Sequence, residues 1–186
     1  MGKTEYQKIL EAKKKAKSTL STKSWAGSRG TEPLVIIFAH QKDEKLLFQL
    51  LEGCLILPGH FIVVCDSEPG DHLKKPTGKI TFVNPEDGRN KPKIEEYLLA
   101  ADMCVMFDEQ MRDLEDVMKK GTVVIGHEKS PFLQNYHPNE ETGNSFTFES
   151  KNPWTVFMAM VRAHETFRFP YDWGNIVRGI LKTDFK

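Results

Sequence analysis

Residues 140 to 163 read EETGNSFTFESKNPWTVFMAMVRA, and this stretch decides the fold. Thr142-Gly143-Asn144 is a turn, because Gly and Asn tolerate positive φ. Ser145 to Phe148 alternates as a short strand with Phe146 and Phe148 on one face. Asn152 then caps a helix whose first position is Pro153, where a missing N–H costs nothing. Trp154, Phe157, Met158 and Val161 recur at three- and four-residue spacing, which predicts that this face of the helix is buried.

Working outward, the same strand-then-helix rhythm recurs. Leu34 to Ala39 is a continuous apolar strand, followed by helical periodicity over Glu44 to Leu57. Phe61 to Cys65 is a second strand, closed by the turn Ser67-Glu-Pro-Gly70. Ile80 to Val83 is a third strand and Pro92 to Ala101 a helix. Met103 to Phe107, a helix over Met111 to Lys119, and Thr122 to Ile125 follow. Pro153 to Phe169 and Tyr171 to Leu181 are the last helices, with Trp154 and Trp173 as anchors. Strands apolar on both faces and separated by helices belong in a parallel sheet covered on two sides. The expected fold is α/β: one Rossmann-like three-layer domain with a mainly parallel sheet, over residues 32–186. Residues 1–31 are expected to be a basic helical arm (4–20) and a polar linker (Ser21 to Thr31).

Composition narrows the function classes. The chain has 186 residues, 39% of them hydrophobic and 28% charged, and its 26 basic and 26 acidic residues cancel. There is no global pull toward nucleic acid. Lysines cluster near the N-terminus, Lys13, Lys14, Lys15 and Lys17 among them, so an acidic partner for that helix is one expectation. Cys54, Cys65 and Cys104 sit in apolar runs without zinc-site spacing and read as buried free thiols of a reducing compartment. The charged N-terminus is unlike a secretory signal, and no apolar run is long enough to span a bilayer. A soluble, cytoplasmic protein is expected. No P-loop, Gly-x-Ser-x-Gly or metal motif is present, and no cofactor is called for.

The turn, the strand and the Asn-Pro-Trp cap resemble the C-terminal Rossmann domain of glycogen and starch synthases, which are two-Rossmann-domain glycosyltransferases. The resemblance runs in order over about residues 5 to 185. Tyr97-Leu-Leu-Ala-Ala-Asp-Met-Cys-Val-Met106 is similar to the family's helix-to-strand passage. Leu114-Glu115 followed by Gly121-Thr-Val-Val is similar to its Leu-Glu-Ala helix and Gly-Thr strand start. Asp172-Trp173 and Thr183-Asp184-Phe185 fit its closing helices.

That resemblance implies a site for a nucleoside-diphosphate sugar, whose departing diphosphate needs cations and backbone N–H groups. The chain departs from the family at each part of it. Where a Gly-Arg and a following Lys are expected, the sequence reads Phe38-Ala39-His40-Gln41-Lys42-Asp43-Glu44-Lys45. A lysine ammonium does not reproduce a bidentate guanidinium. The Gly-x-Gly-Asp loop is replaced by Cys65-Asp66-Ser67-Glu68-Pro69, whose added carboxylates repel a diphosphate. The Glu-to-Glu loop containing Gly-Leu lacks its glycine, with Asp108 and Glu109 near the first position and Glu115 at the second. Gly126-His127-Glu128-Lys129-Ser130-Pro131 stands for a Thr-Gly-Gly loop. His127 and Glu128 are no acid–base pair, since neighbours in a strand face opposite ways.

Two readings follow. In the first, the scaffold has lost its donor site and serves, without catalysis, as a binding or structural subunit of a larger assembly of other protein chains. In the second, it is the nucleotide-sugar-binding half of a glucosyltransferase making α-1,4-glucan from ADP- or UDP-glucose, with Lys42, Lys45, Glu109 and Glu115 carrying the donor. Trp154, Trp173, Phe157 and Phe167 read as core rather than as a sugar platform.

Overall fold

A computed structural model describes residues 4–24, 32–66, 79–108 and 113–185, with the backbone alone for 21–24. Its elements, in order, are α1 (Glu5–Ser24), β1 (Leu34–Ala39), a 3-10 turn (Gln41–Asp43), α2 (Glu44–Cys54), β2 (His60–Cys65), β3 (Ile80–Val83) and α3 (Lys91–Ala100). Then come β4 (Met103–Met106), α4 (Leu114–Lys119), β5 (Val123–His127), β6 (Ser145–Phe148), α5 (Pro153–Phe167) and α6 (Pro170–Leu181). The turn expected over Ser67 to Gly70, residues 25–31 of the expected linker and the start of the helix expected from Met111 lie outside the described residues.

All six strands run parallel in one sheet ordered β3-β2-β1-β4-β5-β6. Parallel strands are joined by crossovers that lay helices on both faces, so the central strands never meet water. Val35, Ile36, Ile37, Cys104, Val105, Val124 and Ile125 are accordingly fully buried. On one side α2 packs with α5; on the other α1 packs with α3 and α6, and α6 with α4. The expected α/β Rossmann-like architecture is the observed one.

The N-terminal edge of the sheet is tied together by Asp102. Its carboxylate accepts the Leu34 N–H at 2.8 Å, its own N–H donates to Leu34 O at 2.9 Å, and its carbonyl accepts from Val123 N at 2.9 Å. Lys17 on α1 reaches the same carboxylate at 2.5 Å. One turn earlier Lys13 is buried, with Nζ donating to Thr122 Oγ1 at 2.9 Å and to the Ala101 carbonyl. Burial pulls the Lys13 pKa down to about 8, with Asp102 opposing it, so the ammonium is still charged at neutral pH. The basic arm is therefore docked rather than free along this face: Lys13 and Lys17 turn inward, while Lys14 and Lys15 stay exposed. Leu20 is buried too, and the helix continues to Ser24, four residues into the stretch expected to be linker.

The helix α5 is capped as expected, with Asn152 Oδ1 accepting from Trp154 N at 3.0 Å and Thr155 N at 3.1 Å. Its buried face is not the expected one. Val156, Ala159, Met160, Ala163 and His164 face the core, whereas Trp154 is 75% and Met158 64% exposed. The two stripes have the same period but are two residues out of phase, which rotates the helix by about 200°. The small residues Ala159 and Ala163 let α5 lie close to the sheet; of the expected stripe Trp154 and Met158 are left outward, while Phe157 and Val161 pack partly buried against the core. Phe157, at the margin, packs on Gly53 of α2, where a Cβ would come within 2.6 Å of the ring. Trp154 is thus neither core nor anchor. Trp173 is half-buried and meets Phe167 edge to face at 5.0 Å.

Before β6, Gly143 takes φ +107, and a Cβ there would lie 2.4 Å from Asn135 O. Opposite it on α6, a Cβ on Gly179 would lie 2.5 Å from Gly143 O. Asn144 is buried between them and bonds in three directions: Oδ1 accepts Gln134 N at 2.8 Å, and Nδ2 donates to Phe132 O at 2.9 Å and Thr183 Oγ1 at 2.8 Å.

Two outcomes are expected. Lys13→Ala opens a hole, leaves Thr122 Oγ1 without its donor and removes one of two donors to the Ala101 carbonyl, costing about 2–3 kcal/mol in urea unfolding, whereas exposed Lys14→Ala stays within about 0.5 kcal/mol. The second concerns His164, which is buried, stacked on Phe61 at 6.1 Å, and donates from Nδ1 to Met160 O at 2.8 Å. Burial holds its pKa below the ordinary 6.5. The unfolded chain therefore takes up this proton first, so stability is present above pH 6.5 and is lost as pH falls below it. Denaturant midpoints measured from neutral to acid pH should show this loss, and His164→Leu should reduce the slope.

Candidate functional site

In a sheet of this order the chain leaves β1 toward β2 and later returns on the β4 side, so the loops after β1 and β4 diverge. A crevice opens there, outside the carboxyl ends of the strands, and ligands of open α/β sheets bind at such switch points. The present crevice has a volume of about 860 Å³ and is lined by loop residues after β1, β2 and β4, and by α3 and α4. His40, Asp43, Asp66 and Asp108 all face it.

The side chains at its head form one charged network. Asp43, in the 3-10 turn after β1, is buried and sits 2.6 Å from Lys151 Nζ. Lys151, just before the Asn152 cap, also reaches Asp108 Oδ1 at 3.0 Å. Lys42 reaches the same oxygen at 3.1 Å. His40 places Nδ1 3.4 Å from Asp66 and Nε2 3.9 Å from Asp108.

The electrostatics follow from these distances. Burial pushes the Asp108 carboxyl up, but hydrogen bonds from Lys151 and Lys42 more than reverse this and hold it below its ordinary value. Burial pulls Lys151 down, and its bonds to Asp43 and Asp108 lift it above the ordinary lysine value. Each partner stabilises the charged form of the other. A cation bonded to two carboxylates has little attraction left for an incoming phosphate.

The residues expected to carry a donor are dispersed. Lys42 lies in the network. Lys45 lies outside the crevice, in an open depression shared with Lys42, Leu46, Lys151 and Pro153 beside the N-terminus of α5. Glu115 is on the surface of α4, bonded to Lys119 one turn on. Glu109 lies outside the described residues. His127 is buried at the end of β5, its Nδ1 accepting from Lys129 N at 3.2 Å, while Glu128 is exposed, so the two face apart as expected.

Sequence reasoning did not find Lys151. It reads as one more surface lysine, and only the packing of α5 against α2 brings it over Asp43. The signal available was the Asn152-Pro153 cap, which fixes the direction of the chain entering α5 and hence where Lys151 points. Among the described residues, no three His, Cys, Asp or Glu side chains converge as a metal site, and no helix is long and apolar enough to cross a membrane. Cys54, Cys65 and Cys104 are buried and form no disulfide with one another, and burial raises Cys54 to about 12 and lifts Cys104 as well.

No family model matches the chain. Over 50 residues it is 40% identical to glycogen synthase 1 of Synechocystis sp., a stretch that is 27% of this chain and 10% of that enzyme. Its fold is similar to the catalytic domain of starch synthase IV from Arabidopsis thaliana, in a structure bound to ADP and acarbose. That match has a TM-score of 0.72 at 16% identity, over 93% of this chain and 39% of that one. The chain thus spans well under half the length of the proteins it matches. The shared fold is that of a Rossmann-like α/β domain, and one stretch of the sequence is similar to a glycogen synthase.

Proposed function

We propose that this domain does not transfer sugar and serves as a binding or structural subunit of a larger protein assembly in the cytoplasm. One observation carries the reading: at the switch point, where a nucleotide diphosphate needs free cations, Lys42 and Lys151 are bonded to Asp43 and Asp108. A diphosphate entering there meets carboxylates first, and among the described residues transition-state charge stabilisation finds Lys42 and Lys151 already bonded. Core and site are specified by different residues, so such a scaffold keeps its fold while its chemistry lapses. The exposed Lys14 and Lys15 on α1 are available to an acidic surface of a partner chain.

A second reading is favoured by one feature. Lys42 and Lys45 lie beside the N-terminus of α5, a 15-residue helix whose dipole favours anions. The similar starch synthase was solved with ADP. On that reading the domain is the ADP- or UDP-glucose-binding half of an α-1,4-glucan-forming glucosyltransferase, with Lys42, Lys45, Glu109 and Glu115 on the donor.

Titration calorimetry separates the two. The first reading expects no saturable heat with ADP-glucose or UDP-glucose up to millimolar concentration. Saturable binding that disappears in Lys45→Ala overturns it and establishes the second. A complementary variant tests the cause. If Asp108 is what occupies the cations, Asp108→Asn should gain weak binding of inorganic pyrophosphate that the parent chain lacks, driven by the released Lys42, while Lys151 keeps Asp43 as its partner. No gain would mean that another part of the site excludes the anion.

A further inference from the structure

The crevice at the switch point keeps a ligand-sized volume of about 860 Å³, within the range that pockets for real ligands occupy. Its floor is apolar, made of Phe38, Val64, Leu98, Met106 and Val117. Among the described residues its charge is one-sided: seven carboxylates line it, against Lys91 and Lys120, with the His40 ring beside them. His40 already faces Asp66 and Asp108, and Lys120 is 3.6 Å from Glu95. Away from the Asp43–Asp108–Lys151 network, Glu86, Glu95, Asp113 and Asp116 form an exposed acidic rim along the mouth.

An apolar floor under an acidic rim has a definite complement. Anions are repelled by the rim, and a bare polyamine leaves the floor wet. An extended peptide with a bulky apolar side chain between basic ones satisfies both: the apolar group covers the floor, and the cations reach the rim carboxylates. From this charge complementarity we infer that the crevice is a docking groove for a basic, aromatic-bearing segment of a partner protein. The inference rests on the non-catalytic reading above and names the partner chemistry of the same site. It reuses the position at which open α/β sheets hold ligands, with the sign of the ligand reversed.

The test uses the whole chain and a fluorescein-labelled peptide of alternating arginine and phenylalanine, followed by anisotropy. Two controls are the same peptide with serine for phenylalanine and one with glutamate for arginine. The double variant Glu95→Gln, Asp116→Asn changes only exposed rim residues, and circular dichroism checks that it is folded. Expected is saturable binding of the first peptide, weakened about 3- to 10-fold by the double variant, as two rim charges allow, and weakened again without phenylalanine. No saturation, equal affinity for the serine peptide, binding of the glutamate peptide, or no effect of the double variant each overturns the inference. ADP-glucose titrated into the same samples keeps the two claims apart. Its binding would sink the non-catalytic reading, whereas peptide failure without ADP-glucose binding sinks only the docking groove.

Discussion

An all-parallel sheet has no face that can meet water, and the rest of the molecule follows from that constraint. Six such strands need helices on both sides, and the side holding α1, α3, α4 and α6 is closed only if the Lys-rich first helix lies down on it. A helix with so few apolar residues cannot do this by oil alone. It is held by Lys13 and Lys17, which reach the cut ends of the sheet at Ala101, Asp102 and Thr122. Asp102 matters twice over, since the carboxylate that bonds Lys17 also bonds the first N–H of β1. Breaking such an arrangement on one side leaves a buried charge without its partner, a larger loss than the pair's net contribution.

The same logic of paired charge governs the opposite end of the sheet, with another result. There the carboxylates Asp43 and Asp108 face lysines that a phosphate would otherwise claim, and Asp66 faces the His40 ring. Burial of Asp43 strengthens its pair with Lys151. A second anion arriving there meets these carboxylates at short range.

Much of the fold was legible from the residues. Strands buried on both faces are continuous apolar runs, and Leu34 to Ala39 or Met103 to Met106 allow few other readings. Asn152-Pro153 announced the start of α5. What misled was the helix that follows it, because its sequence carries two apolar stripes and only tertiary packing chooses between them. The small side chains of Ala159 and Ala163 decided for close approach to the sheet, a preference that hydrophobicity alone does not register. Lys13 was illegible for the converse reason: lysine reads as solvated, and its burial depends on acceptors 88 and 109 residues away. At the site, the altered residues around His40 and Asp66 were visible in the sequence. Their joining through Lys151 was not, since nothing local links position 151 to positions 43 and 108.

The meeting of Gly143 with Gly179 has a consequence for how this protein can drift over time. A new side chain at either position drives into main chain, which cannot swing away as a neighbouring rotamer would. The strain cannot be relieved by repacking, so neither site has a gradual exit through alanine or serine. The joint between the turn before β6 and the final helix is therefore a seam where single steps are closed off, even as exposed positions such as Trp154 remain open to change.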